Sequence, residues 1–114
     1  MKKFISIKVQ LSGLHRWIGA TEFPTVDFLS NLHRHLFYFN LKFQVENSDR
    51  ELEFFLTSYD VITYLTTKYY DDKYKILNFN GSSCETIAED LLTFFDADFV
   101  SVYEDNENGA EILK

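Results

Sequence analysis

Cysteine and proline are nearly absent from this chain: its 114 residues include one cysteine, Cys84, and one proline, Pro24. A single cysteine excludes an internal disulfide framework, which fits a reducing compartment, so we expect a cytoplasmic protein. The proline lies with Gly19 in the segment 16–28, "RWIGATEFPTVDF". These residues predict a connecting loop that contains a short turn of helix.

Positive charge and long apolar runs are also scarce. Lysine and arginine total 11 against 18 acidic residues, which gives a formal net charge of −7. Because the basic residues are scattered and phosphate binding needs them clustered, we expect no nucleic-acid partner. No apolar run approaches the ~18 residues of a membrane span, and "MKKFISIKV" lacks the apolar region and cleavage site of a signal peptide. A small molecule or another protein chain is the expected partner.

Aromatic residues, by contrast, are abundant. The chain has 12 phenylalanines and 7 tyrosines, and hydrophobic residues make up 46% of it. This composition provides a globular core and argues against disorder. With no internal repeat, low-complexity segment or domain boundary, residues 1–114 form a single predicted domain.

Two long strands are predicted in the first half of the chain. In "FISIKVQL", residues 4–11, apolar and polar side chains alternate, which is typical of a strand with one buried face. In the second strand, 33–46, the odd positions from His33 to Val45 share a face that is rich in phenylalanine. We expect other subunits to cover an aromatic face of the sheet that the helices leave open.

The second half predicts an α+β fold, with two successive helices covering one face of an antiparallel sheet. Ser82 and Glu85 form a predicted capping box at the start of the second helix. The predicted elements after the second strand are a short strand over 51–56, helices over 57–70 and 82–95, and strands over 98–105 and 110–113.

The three histidines are candidate zinc ligands. His33 and His35 occupy alternate positions of one strand, so their imidazoles share a face, while Arg34 points the other way. His15 follows the end of the first predicted strand. Zinc binds imidazole nitrogen well, and a catalytic zinc has three protein ligands and one open position. The alternative is that the pair are ordinary polar residues near a sheet edge.

With two further motifs, these histidines make the sequence resemble the 6-pyruvoyltetrahydropterin synthase and 6-carboxytetrahydropterin synthase family of tunnelling-fold (T-fold) enzymes. In that family, a histidine like His15 in "LSGLHRW" joins an H-G-H motif, here "HRH", to bind zinc. The segment "SSCETIA" keeps Glu85 and Ala88 of a P-T-x-E-N-x-A motif. In "VSVYED", Glu104 stands where the family has a glutamate that grips the guanidine-like edge of a pterin. The similarity extends over nearly the whole chain.

The resemblance implies a T-fold: a four-stranded antiparallel sheet with two antiparallel helices on one face. Such sheets close into barrels by trimerisation, two trimers stack into a hexamer, and the pocket lies between subunits. Zinc is then the implied cofactor, and Glu104 and Glu85 are the implied substrate-binding residues. For Glu104, the alternative is a solvated carboxylate at a strand end.

The sequence departs from the family where the family places its proton-transfer residues. The catalytic cysteine is missing, and its place falls on Leu29 or Asp27. An aspartate–histidine pair is matched by Asp71 and Asp72. Asp27, Asp71 and Asp72 are therefore the candidate catalytic residues. Cys84 lies at a helix N-terminus, which favours a thiolate, although a packing role is the more common one.

Two functional hypotheses follow. In the first, the chain is a zinc-dependent lyase of this family that acts, with weak or altered turnover, on dihydroneopterin triphosphate or a related pterin. In the second, it is a non-catalytic binding protein for a pterin, purine or related nucleotide. Candidate phosphate contacts for the second hypothesis are Arg16, Arg34, Arg50 and Lys73.

Overall fold

Two long antiparallel strands, β1 (Lys3–His15) and β2 (His33–Val45), lie in the middle of the sheet in the computed structural model, which describes residues 1–114. Their register runs from Lys3 opposite Val45 to His15 opposite His33. The strand order across the sheet is β3-β4-β1-β2-β5-β6. The remaining strands are β3 (Tyr70–Asp71), β4 (Ile76–Asn78), β5 (Phe99–Glu104) and β6 (Asn108–Leu113). The helices are α1 (Phe54–Tyr69) and α2 (Cys84–Phe95), with two short 3₁₀ helices over Ile18–Glu22 and Pro24–Ser30.

The α+β class is confirmed, but the sheet differs from the predicted four antiparallel strands. Strands β1, β2, β5 and β6 are antiparallel neighbours as expected. Two short strands extend this sheet to six, and β4 runs parallel to β1, so the sheet is mixed. With two and three residues, β3 and β4 are too short to show a period of two. The sheet of a single chain ends at β3 and β6 and does not close into a barrel.

The aromatic face of β2 forms the core of the chain itself. Phe37, Phe39 and Leu41 are completely or almost completely buried, and they pack in one cluster with residues of both α-helices. The expectation that other subunits cover this face is therefore wrong. Both helices lie on the same side as the β2 phenylalanines, and the opposite side of β2 carries polar residues such as Asn40 and Lys42.

The predicted short strand over 51–56 is also wrong, because α1 begins there. The carboxylate of Glu53 caps this helix by accepting a hydrogen bond from the Leu56 N–H at 2.9 Å. Phe54 and Phe55 are exposed in the first turn, and this apolar run gave the segment the composition of a strand. Neither α-helix is both long and apolar enough to cross a membrane.

At α2 the cap is shifted by one residue from the prediction. Ser83, and not Ser82, accepts the hydrogen bond from the Thr86 N–H, at 3.1 Å. Glu85 therefore takes no part in a capping box, and it lines a cleft instead. The segment between β1 and β2 is a connection with short helical turns, as predicted.

Candidate metal centre

The three histidines meet where β1 ends and β2 begins. His15 is the last residue of β1 and pairs with His33, the first residue of β2. His35 lies two positions further along β2, so its side chain is on the same face. All three are partly buried, and one ligand atom from each lies within 4.8 Å of the others. These residues are therefore close enough to bind one metal ion.

Two of the imidazoles have Nδ1 engaged by an acceptor, which leaves Nε2 as the nitrogen available to a metal. The Nδ1 atom of His33 lies 2.7 Å from the carbonyl oxygen of Asn31. The Nδ1 atom of His35 lies 2.7 Å from Oδ2 of Asp105. Because these oxygens only accept hydrogen bonds, each Nδ1 carries a proton, and in the neutral imidazole Nε2 then keeps a free lone pair. Such partners fix the ring orientation of metal-binding histidines in many proteins.

Asp105 is itself held in place by the backbone. Its Oδ1 atom accepts a hydrogen bond from the N–H of Leu36 at 2.9 Å. The hydrogen bond from His35 and this second one lower the pKa of Asp105, so its carboxylate is charged at neutral pH. A charged carboxylate on the far nitrogen makes His35 a stronger ligand.

Glu104 faces the same histidines with one carboxylate oxygen. Its Oε2 atom lies 3.1 Å from Nδ1 of His15 and 3.4 Å from Nε2 of His35. The contact with His15 is the main cause that lowers the pKa of Glu104; burial opposes this, and the proximity of the imidazoles lowers the pKa further. The carboxylate is therefore ionised at neutral pH.

Two buried atoms at this point lack hydrogen-bond partners. Both Nδ1 of His15 and Oε2 of Glu104 are buried, and although they are neighbours they are not aligned as a donor and an acceptor. An unsatisfied buried polar atom costs about 1–3 kcal/mol. A cation that accepts a lone pair from these atoms removes that penalty, and nitrogen with carboxylate oxygen is a donor set that zinc prefers. The residues present therefore fit a zinc ion.

An apolar floor supports the cluster. The ring of Phe37 is fully buried and lies edge-on to His15 and His35, with centroid distances of 6.1 and 5.9 Å. Phe79 packs against Phe37 at 4.8 Å. A floor of this kind keeps water away from one side of the site and strengthens its electrostatic interactions.

An open cleft of about 530 Å³ lies beside the cluster. This volume lies in the range of small-molecule sites, roughly 300–1,000 Å³. Both predicted substrate-binding residues, Glu85 and Glu104, line it, and His15 and Arg16 join them. A smaller depression of about 280 Å³ near the start of α1 contains none of the histidines.

Asp27 does not reach this cleft. It is exposed in the second 3₁₀ helix and lines a separate surface depression with Thr21 and Asn31. Leu29, two residues on, is partly buried and lines the cleft. Of the two residues that compete for the place of the missing cysteine, the structure therefore brings Leu29 to the site and leaves Asp27 outside it.

Asp71 and Asp72 also lie outside the cleft of their own chain. The carboxylate of Asp71 accepts hydrogen bonds from the Asn78 side chain and from the N–H of Lys73, at 2.9 and 2.8 Å. The bond from Asn78 is the main cause of the lowered pKa of Asp71, which makes this carboxylate a weaker base. Asp72 is exposed.

Cys84 lines the cleft, but it is a poor nucleophile. Burial, and then the nearby charges of Glu104 and Glu85, raise the pKa of the Cys84 thiol to about 12. Burial therefore outweighs the helix N-terminus that favours a thiolate, and the thiol is neutral near pH 7. The packing role is the one that the structure supports.

The candidate phosphate contacts are dispersed. Arg16 lines the cleft and donates to Oδ1 of Asn80 at 2.8 Å. Arg34 donates to the Ser12 hydroxyl, and neither Arg50 nor Lys73 lines the cleft.

Sequence reasoning missed the role of Asp105. This residue has a left-handed backbone conformation, with φ of 53°, in the turn after β5, which brings its carboxylate to β2. The acidic pair at the end of the predicted strand was the only signal, and it did not reveal which neighbour each carboxylate contacts. The chain matches no model of a known protein family and no curated protein sequence.

Proposed function

We propose that the chain is a zinc-dependent protein of the 6-pyruvoyltetrahydropterin and 6-carboxytetrahydropterin synthase type, acting on dihydroneopterin triphosphate or a related pterin. The observation that supports it is the cluster of His15, His33 and His35 beside a cleft that carries Glu85 and Glu104. A bound zinc ion supplies Lewis-acid polarisation of a ligand hydroxyl or carbonyl oxygen. Membership of this family is part of the proposal and is supported by the motifs of the sequence.

The residues of the chain provide the binding contacts. His33 and His35 offer Nε2 to the metal because their Nδ1 atoms are engaged elsewhere. A pterin edge presents two adjacent N–H donors, and a carboxylate such as Glu85 or Glu104 accepts both. At the cleft, Arg16 is the cation available to a phosphate group.

We further propose that turnover is weak or altered. Leu29 cannot transfer a proton, Cys84 is a neutral thiol, and Asp27 lies outside the cleft. Within one chain, the cleft therefore lacks the acid–base group that the related synthases use to remove a proton from carbon. The same observation favours the second candidate function, a binding protein for a pterin, purine or related nucleotide.

We also propose that the chain assembles into a homo-oligomer, either a trimer or a hexamer. This assembly rests on the resemblance and on the two edges of the sheet, at β3 and β6, that one chain leaves unpaired. Native mass spectrometry measures the assembly directly, and a monomer at micromolar concentration would contradict both the barrel and a pocket shared between chains.

The activity test uses zinc-loaded protein and dihydroneopterin triphosphate, with products separated by chromatography. We expect slow product formation that His33→Ala abolishes and that Glu107→Gln, a change at an exposed carboxylate, leaves unchanged. Tight stoichiometric binding without turnover would support the binding protein. Neither binding nor turnover would contradict both candidate functions.

A further inference from the structure

We propose that Glu104 is the fourth ligand of the metal, so that the resting site is a closed set of three histidines and one carboxylate. This inference rests on the metal-binding part of the proposed function and not on the pterin. Glu104 then binds the metal in the resting site, either before it binds the substrate or instead of binding it.

The register of the sheet brings Glu104 to the cluster. Glu104 is the last residue of β5 and pairs directly with Phe37 of β2. Directly paired residues share a face of the sheet, and a residue two positions along the neighbouring strand is within reach of a long side chain. His35 holds that position, on the same face as Phe37. The carboxylate of Glu104 is therefore directed to the histidines by the strand pairing itself.

The distances match those between two ligands of one zinc ion. In a tetrahedral site with bonds of about 2.0–2.1 Å, neighbouring ligand atoms are about 3.3–3.4 Å apart. Oε2 of Glu104 lies 3.1 Å from Nδ1 of His15 and 3.4 Å from Nε2 of His35. The same carboxylate oxygen is thus placed correctly against two of the three histidines.

The burial of these atoms agrees with a shared cation. Oε2 of Glu104 and Nδ1 of His15 are both buried and both lack a hydrogen-bond partner. Glu85 also lines the cleft, but it is exposed and has no such contact with a histidine. Glu85 is therefore a matched control, since it is a second glutamate of the same cleft.

A carboxylate on the metal has a functional consequence. Three histidines alone leave one position open for water or substrate, whereas a fourth protein ligand closes it. A substrate oxygen must then displace Glu104 before it reaches the metal. This requirement agrees with the weak turnover that we expect of the site.

The test is an azide titration of the Co²⁺-loaded protein, followed through the visible d–d absorption bands of cobalt. We expect the wild-type spectrum to stay unchanged at millimolar azide, because no coordination position is open. In Glu104→Gln, azide should shift the bands, and Co²⁺ and Zn²⁺ should bind at least 10-fold more weakly. Glu85→Gln should behave like wild type in both measurements.

The outcomes separate this inference from the proposed function. If wild-type protein binds Co²⁺ and azide readily shifts its spectrum, the fourth position is open and the inference is wrong, while the metal site stands. If neither Co²⁺ nor Zn²⁺ binds, the inference and the metal-binding part of the proposed function both fail. The titration of the wild-type protein decides the matter even if Glu104→Gln does not fold.

Discussion

Among single residues, metal binding depends on which nitrogen of each imidazole is free. Asn31 and Asp105 engage Nδ1 of His33 and His35, so Nε2 is the nitrogen left available to a metal. That the three histidines lie together, and that both glutamates lie beside them, was predictable from the motifs that carry the family resemblance. The hydrogen bond between His35 and Asp105 was not predictable, because it joins residues 70 positions apart and depends on a left-handed turn at Asp105.

Replacing Asp105 by asparagine tests the support of His35. We expect Asp105→Asn to weaken zinc binding by about 10–100-fold, because the amide has only one acceptor oxygen for two donors, His35 and the Leu36 N–H. Competition with a chromophoric chelator measures the change. Glu107→Gln, an exposed carboxylate in the same turn, is the control, and equal affinities in both variants would contradict the role of Asp105.

At the scale of elements, the two α-helices are joined by a polar contact. Asp90 of α2 accepts hydrogen bonds from the hydroxyls of Tyr64 and Tyr69 of α1 at 2.6 and 2.7 Å, and Lys68 lies 2.9 Å away. Burial acts to raise the pKa of Asp90, but these partners outweigh it and the net pKa is lowered. The ionised carboxylate therefore stabilises the folded chain.

We expect Asp90→Asn to lower the free energy of unfolding by about 1–3 kcal/mol at pH 7. Because the pKa of Asp90 is lower in the folded chain, its stabilisation is complete above the unfolded value of about 4 and is lost as pH falls through the folded value. The difference between wild type and variant should shrink below about pH 4. Urea denaturation at several pH values measures it, with Glu89→Gln, an exposed neighbour, as the control. A difference independent of pH would contradict the ionised contact.

The β5–β6 hairpin that carries Glu104 needs a glycine at position 109. A Cβ atom there would lie 2.6 Å from Cα of Tyr103 and closer still to the carbonyl oxygen of Val102, and neither backbone atom can move alone. We expect Gly109→Ala to destabilise the chain by about 1–3 kcal/mol in urea denaturation. At Gly81, which lines the same cleft, a Cβ meets no atom within 4 Å, so Gly81→Ala should have no steric cost. Equal effects at both positions would contradict this packing.

The long strands and helices were predictable from the sequence, whereas the two shortest strands were not. The 13-residue strands β1 and β2 and the 12-residue helix α2 each show several periods of their pattern, and each was predicted, although β1 extends to His15 and the prediction ended it at Leu11. β3 and β4 have fewer than two full periods and were missed. The first turn of α1 was predicted as a strand because its exposed phenylalanines stand next to each other.

In the molecule as a whole, the phenylalanines on the core-facing side of β2 are buried within a single chain. The helices cover that face of the sheet, so it gives no reason of its own to expect a partner. The other face is polar, and there the Ser6 hydroxyl of β1 donates a hydrogen bond to the Asn40 side chain of β2. An oligomer would therefore use the sheet edges or this polar face, and the proposed barrel depends on the resemblance and on the unpaired edges at β3 and β6.

The metal content of the purified protein shows whether the three histidines bind zinc. We expect elemental analysis of the wild-type chain, after dialysis, to find about one zinc ion per chain, because the three histidines form one site. In His33→Ala and His35→Ala the zinc content should fall to a small fraction of that value, while circular dichroism shows that both variants remain folded. No zinc in the wild type, or equal zinc in the wild type and both variants, would contradict zinc binding by the three histidines.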